Sequence, residues 1–178
     1  MATRITLIHG DITVQKVDAI VNAANHTLMG GGGVDGAIHR ASGLRLREAC
    51  RPLGRCETGA AKLTEGFDLP ARFVIHTVGP IWRGGDRDEP RLLASCYHSA
   101  LQLAVVHDFR TVAFPSISTG AYRFPLSRAV AIAVEAVQAF LADGPPLEEV
   151  RFVCFRPGDT ETYYEEFQRR DIPFGEPD

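Results

Sequence analysis

The sequence predicts a three-layer α/β/α domain built around a mostly parallel β-sheet. Three observations carry that prediction. Short runs rich in Val, Ile and Phe alternate along the chain with stretches of helical period. Those runs are apolar throughout, as strands covered on both faces are. The most unusual segments, rich in glycine, asparagine and serine, each follow such a run, and open α/β sheets bind ligands beyond the carboxyl ends of their strands.

Taken in order, Arg4–His9 reads as the first strand and residues 19–23 as the second. Helical patterns cover residues 34–41 and 44–51, interrupted at Gly43. Residues 60–64 read as a peripheral strand and Phe73–Val78 as a buried one, followed by a polar surface loop from Trp82 to Pro90. The helix predicted over 91–107 puts Leu92, Cys96, Ala100, Leu103 and Val106 on one face. Thr111–Phe114 is the next strand. An alanine- and valine-rich helix over 127–142 lies between Pro125 and the terminator Asp143-Gly144-Pro145-Pro146. Residues 150–155 form the last strand, and 160–170 the last helix, with Asp159 or Thr160 as its cap. The chain thus reads as a single domain over residues 1–170, with a short, frayed C-terminal tail over 171–178.

Composition narrows the function classes. The 178 residues carry a net charge of −3 and no lysine- or arginine-rich block. A face that grips nucleic acid through many phosphates is therefore not expected, although a local positive pocket is compatible with the sequence. No stretch approaches the roughly 18 to 20 apolar residues of a membrane span. The N-terminus runs straight into a strand without signal-peptide architecture. Cys50, Cys56, Cys96 and Cys154 are scattered, without a Cys-x-x-Cys pair, and read as reduced, mostly buried thiols in a cytoplasmic protein with no metal site.

The chemistry concentrates after the strands. In Gly30-Gly31-Gly32-Gly33-Val34-Asp35, four glycines bare the backbone immediately before a helix, whose N-terminal N–H groups favour an anion. The placement is wrong for a dinucleotide fingerprint, and no Gly-Lys-Ser/Thr completes a P-loop. Asp35 falls in the first helical turn, either as a dipole-matched carboxylate or as a functional one; His39 lies one turn on, placed to orient it. Asn25 directly precedes the loop and offers both donor and acceptor to a sugar hydroxyl, whereas Asn22 reads as turn chemistry. Ser116 to Tyr122 is a second phosphate-loop candidate, with successive N–H groups able to form an anion nest and Tyr122 able to close over a sugar. Asp11 reads either as a turn aspartate or as a buried acceptor for an exocyclic amine. Phe155 reads either as core or as a platform for a purine.

Together, Gly10 to Thr13, Val17 to Asn25, Gly30 to His39, Val74 to Pro80 and Phe114 to Tyr122 resemble the macrodomain family, MacroD type, over about residues 4–167. The likeness is greatest to the bacterial O-acetyl-ADP-ribose deacetylase branch. The resemblance implies a mixed six-stranded sheet and an ADP-ribose site that needs no cofactor. It implies that Asp11 takes the adenine amine with Ile12 beside it, that Phe155 packs on the ring, and that Asn25 holds the distal ribose. Gly32, Gly33, Val34 and Asp35 would line the distal ribose and diphosphate, and the backbone of Ser118, Thr119, Gly120, Ala121 and Tyr122 would cradle the diphosphate. It further implies hydrolysis of O-acetyl-ADP-ribose and removal of mono-ADP-ribose from acidic side chains of proteins. In that reading Asp35 would be the catalytic group, supported by Asn25 and His39, with water activated by Asp35 or by a diphosphate oxygen. The alternatives it brings are a non-catalytic ADP-ribose reader and a partner that regulates ribonuclease III. Nucleic acid would enter only when ADP-ribosylated. Two departures stand out. Arg123 occupies a position where the family commonly has glycine, which predicts an altered loop rim. Arg156-Pro157-Gly158 replaces the acidic residues that often follow the phenylalanine.

Overall fold

The structure is a computed structural model and describes residues 1–176; Pro177 and Asp178, the end of the predicted tail, lie outside it. Six strands form one sheet: β1 (Arg4–His9), β2 (Ala19–Ala24), β3 (Ala61–Glu65), β4 (Phe73–Val78), β5 (Thr111–Phe114) and β6 (Glu149–Cys154). Their order is β1-β6-β5-β2-β4-β3, with every pairing parallel except β3 against β4. Five helices complete the layers: α1 (Gly33–Ser42), α2 (Leu44–Cys50), α3 (Glu89–Val106), α4 (Leu126–Leu141) and α5 (Pro157–Arg169). The mixed three-layer sheet expected from the sequence is the one observed.

The side-chain period of two divides each central strand between two cores. Ala19 and Val21 of β2 face the core shared with α3, α4 and α5, whereas Ile20 and Ala24 face the core under α1 and α2. In β4, Ile75 faces the first core, and Val74 and Val78 face the second. Asn22 and His76 are therefore polar residues on the α1–α2 face, and the parallel register sets them directly opposite each other. All four cysteines are buried free thiols, as expected.

Several boundaries differ from expectation. Helices α3 and α5 begin two and three residues early, at Glu89 and Pro157, because Pro90 and Pro157 occupy first-turn positions that need no N–H donor. Asp159 thus sits inside the first turn of α5, and neither it nor Thr160 is the cap. Strand β6 stops at Cys154, which leaves Phe155 beyond its end. Two short 3-10 turns, Ile12–Val14 and Arg51–Leu53, have no apolar period by which to be recognised.

The stretch after α5 is docked, not frayed. Ile172 is buried in the larger core and Phe174 packs on it, with its ring 5.1 Å from that of Phe167. The Gly175 carbonyl accepts from the Leu7 N–H at 3.0 Å, and the Gly175 N–H donates to the Ile5 carbonyl at 3.0 Å. The segment thereby covers the otherwise open edge of β1, a standard hazard of sheet edges. Ending the chain at Asp171 should lower stability by about 3 kcal/mol, from two apolar side chains and two hydrogen bonds. Urea denaturation would measure it, and a change within about 0.5 kcal/mol would mean that the docking contributes nothing.

Candidate functional site

A cleft of about 730 Å³ opens over the carboxyl ends of β6, β5 and β2 and the glycine that follows β4. Two backbone loops supply much of its wall. The first leaves β2 through Asn25, whose Oδ1 accepts from the Thr27 N–H (3.1 Å) and Oγ1 (2.7 Å), while its Nδ2 donates to the Gly30 carbonyl (3.0 Å). Asn25 lines the cleft as expected. Its oxygen, however, is occupied in shaping the loop, and one amide N–H remains for a ligand.

Close approach explains two of the glycines. A side chain at Gly31 would start 3.2 Å from Asp35 Oδ2 and 3.3 Å from Asn25 Nδ2. At Gly36 it would lie 2.5 Å from the Gly31 carbonyl oxygen, so the loop can cross α1 only where α1 lacks a Cβ. Gly32 caps α1 without a side-chain bond. The N–H groups of Gly32, Gly33 and Val34 have no acceptor among the described residues.

The second loop follows β5. Ser118 takes a left-handed conformation (φ 66°), the Phe124 N–H returns to its carbonyl at 2.9 Å, and Gly79 leaves room for its hydroxyl. The N–H groups of Ser118, Thr119, Gly120, Ala121 and Tyr122 also have no acceptor among the described residues. Runs of unsatisfied backbone donors on both loops are what an anionic ligand requires. Arg123 does not avoid the left-handed conformation that a glycine would accept here. It adopts φ 61° itself, at a cost of about 1–2 kcal/mol, and its N–H closes on the Gly120 carbonyl at 3.0 Å.

Asp35 lines the cleft yet is only 4% exposed. Asn22 Nδ2 donates to its Oδ1 at 2.9 Å, and His39 Nε2 stands 3.4 Å from the same oxygen. The histidine contact is electrostatic and not aligned as a hydrogen bond, since His39 Nε2 is among the buried atoms without a hydrogen-bond partner. Burial raises the Asp35 pKa; the Asn22 bond and the His39 field oppose that rise without cancelling it.

Behind Asp35 the polar chain continues across the α1–α2 face of the sheet. Asn22 Nδ2 also reaches His76 Nδ1 at 3.1 Å, and His76 Nε2 meets Thr64 Oγ1 at 2.9 Å. With the Asn22 amide donating, Nδ1 of His76 accepts and Nε2 carries the hydrogen. Burial, with the field of His39, lowers the His76 pKa to about 3, so the ring stays neutral. Asn22 is therefore no turn residue. It is a wholly buried bridge between α1 and β4, and the sequence signal for it was its even spacing with Ile20 and Ala24.

At the other end of the cleft lie Asp11, Ile12 and Phe155. Asp11 is exposed, not buried, and its Oδ1 accepts from the Thr13 N–H (2.8 Å) and Oγ1 (2.7 Å), which is the turn reading. Its second oxygen has no partner among the described residues. Phe155 is 81% exposed at the cleft mouth and so is not core. Sequence reasoning missed two cations. Arg40 lines the cleft from α1, and Arg156 reaches within 3.6 Å of the point where a Cβ on Gly120 would stand. Neither is in an ion pair among the described residues. They supply the local positive charge that a net charge of −3 conceals.

The chain matches the Macro domain family over residues 21–133. It is 60% identical over 156 residues to the Macro domain-containing protein CT2219 of Chlorobaculum tepidum, covering 88% of this chain and 91% of that one. It is 52% identical over 168 residues to the O-acetyl-ADP-ribose deacetylase of Enterobacter cloacae, covering 92% of each. Among solved structures it is similar to the Trypanosoma brucei macrodomain in complex with ADP-ribose, with a TM-score of 0.84 and 45% identity over 91% of this chain and 68% of that one. With likeness of this depth along almost its whole length, the protein belongs to the macrodomain family.

Proposed function

We propose that the protein binds ADP-ribose in this cleft and hydrolyses esters at its distal ribose, both O-acetyl-ADP-ribose and mono-ADP-ribose carried on acidic side chains. The observation that carries this reading is Asp35. A wall that only held phosphate would gain nothing from a buried carboxylate beside its N–H donors. The unsatisfied donors of the two loops, with Arg40 and Arg156, support a diphosphate between them. Asp11 Oδ2 and the exposed Phe155 suit the amine and face of adenine at the far end. The deacetylase relative and the ADP-ribose-bound macrodomain support the same ligand and bond class.

In this reading the Asp35 carboxylate takes a proton from a water as the water oxygen adds to the acyl carbon. The tetrahedral adduct collapses by breaking the bond to the ribose oxygen, which receives that proton from Asp35. The products are a carboxylic acid and ADP-ribose. His39, on the same helical face, holds the carboxylate's orientation.

Asp35→Ala should lower kcat by about 10²- to 10⁴-fold while ADP-ribose affinity changes only a few-fold; unaltered turnover would remove Asp35 from the reaction. Because a base must be unprotonated, kcat should rise with pH through a carboxyl pKa above the ordinary 3.8. Asn22→Leu deletes the hydrogen bond that favours the charged form, so this acid limb should move to higher pH. A lower plateau with an unmoved limb would make Asn22 merely structural. A raised native pKa also means that stability is greatest below the unfolded value and falls as pH rises through the native one. Asp35→Asn should therefore be more stable than the wild type at pH 7 and no more stable at pH 3, by thermal unfolding at both.

A further inference from the structure

A second cavity, of about 230 Å³, adjoins the cleft and shares Gly79 and Tyr122 with it. Strand order fixes which end it adjoins. The segment Gly79-Pro80-Ile81 follows β4, which lies beyond β2 on the side away from β6 and Phe155. The cavity therefore opens beside the Asn25–Asp35 end, where the acyl group would be, and not beside the adenine end.

The loop that walls it is built. Glu89, buried at the start of α3, accepts three backbone N–H groups of that loop: Arg83 (2.9 Å) and Gly85 (2.8 Å) on Oε2, and Arg87 (2.5 Å) on Oε1. The Trp82 N–H donates to the Tyr122 carbonyl at 2.8 Å, which ties this loop to the second phosphate loop. Trp82 itself is clamped between Phe124, 4.7 Å between ring centroids, and Arg128, 4.9 Å above the ring. Of the acidic neighbours, Glu89 is taken by those N–H groups and Asp88 by Arg91 at 2.6 Å, while Asp86 is exposed and does not line the cavity. Arg83 and Arg87 line the cavity, are exposed, and have no ion pair among the described residues. Pro80, Ile81 and Leu92 add an apolar lining.

We infer that this cavity is a subsite for the polypeptide that carries the ADP-ribose ester, with Arg83 and Arg87 selecting acidic sequence around the modified side chain. The inference rests on ADP-ribose occupying the main cleft. An acetyl group ends at its methyl carbon and does not extend into the second cavity, whereas a glutamyl or aspartyl ester continues from its acyl carbon into a backbone. The two arginines thus act on protein substrates alone. A polypeptide is favoured over a nucleic acid because two cations beside an apolar lining suit aliphatic and acidic side chains. Successive phosphates would need a basic track, and the net charge of −3 comes with no basic block.

The test is equilibrium binding by the full chain of four probes: free ADP-ribose, and ADP-ribose attached through a hydrolysis-resistant linkage to a glutamate-rich peptide, to a neutral peptide and to a short DNA end. Wild type should bind the acidic conjugate about 5- to 10-fold more tightly than free ADP-ribose. The Arg83→Glu/Arg87→Glu variant should lose that preference with free ADP-ribose affinity unchanged, a result that also reports intact folding. The wild-type preference should shrink in 0.5 M salt. An equal preference for the neutral peptide, a preference for the DNA conjugate alone, or a preference that survives the double substitution would overturn the subsite. If wild type fails to bind free ADP-ribose, the cleft assignment itself falls and takes the subsite with it.

Discussion

One hydrogen bond organises the site: Asn22 Nδ2 to Asp35 Oδ1, 2.9 Å, inside the protein. A carboxylate 4% exposed faces a desolvation penalty that only donors or cations can offset. Asn22 supplies one donor from β2, and the field of His39, one turn along α1, also favours the charged form. The remaining penalty leaves Asp35 with more than ordinary proton affinity, which is the property a base working near neutral pH needs. Other features follow from placing that bond. Asn22 must face α1, so the strand register sets it against His76, and His76 must stay neutral to accept from it.

The same constraint divides the labour in the cleft. A buried carboxylate beside an anionic ligand is repulsive unless the ligand's charge is met elsewhere. In the proposed reading it would be met by the backbone donors of the two loops and by Arg40 and Arg156, all of which line the cleft. The glycines make this possible by geometry more than by flexibility. Gly31 threads between two site side chains, and Gly36 lets that strand of backbone cross the helix. Backbone donors held by the fold need no reorganisation when charge develops, so in the proposed reaction the loops would contribute to positioning as well as to affinity.

Much of this was legible in the sequence because it depends on local pattern. Runs of Val, Ile and Phe marked the strands, and the glycine run, Asp35 and the serine-rich loop marked the walls. What was not legible depends on partners far along the chain. Asn22 looked like a turn residue because its partner His76 is 54 positions away and appears only once β2 pairs with β4. Residues 171–175 looked frayed because nothing local shows that they lie on the edge of β1. Arg40 was not singled out, and Arg156 only as a departure from the family's pattern, because side-chain reach is invisible in a sequence. Arg123 shows the opposite limit: a residue that disfavours positive φ adopts it when hydrogen bonds on either side demand the turn.

In the proposed reaction Asp35 is the proton acceptor and its environment sets its proton affinity. Carbon-13 NMR of the Asp35 carboxyl, titrated beside the pH dependence of ester hydrolysis, addresses it most directly. The carboxyl pKa should lie above 3.8 and coincide with the midpoint of the acid limb of turnover. A carboxyl that titrates at or below 3.8, or an acid limb that falls elsewhere, would contradict it.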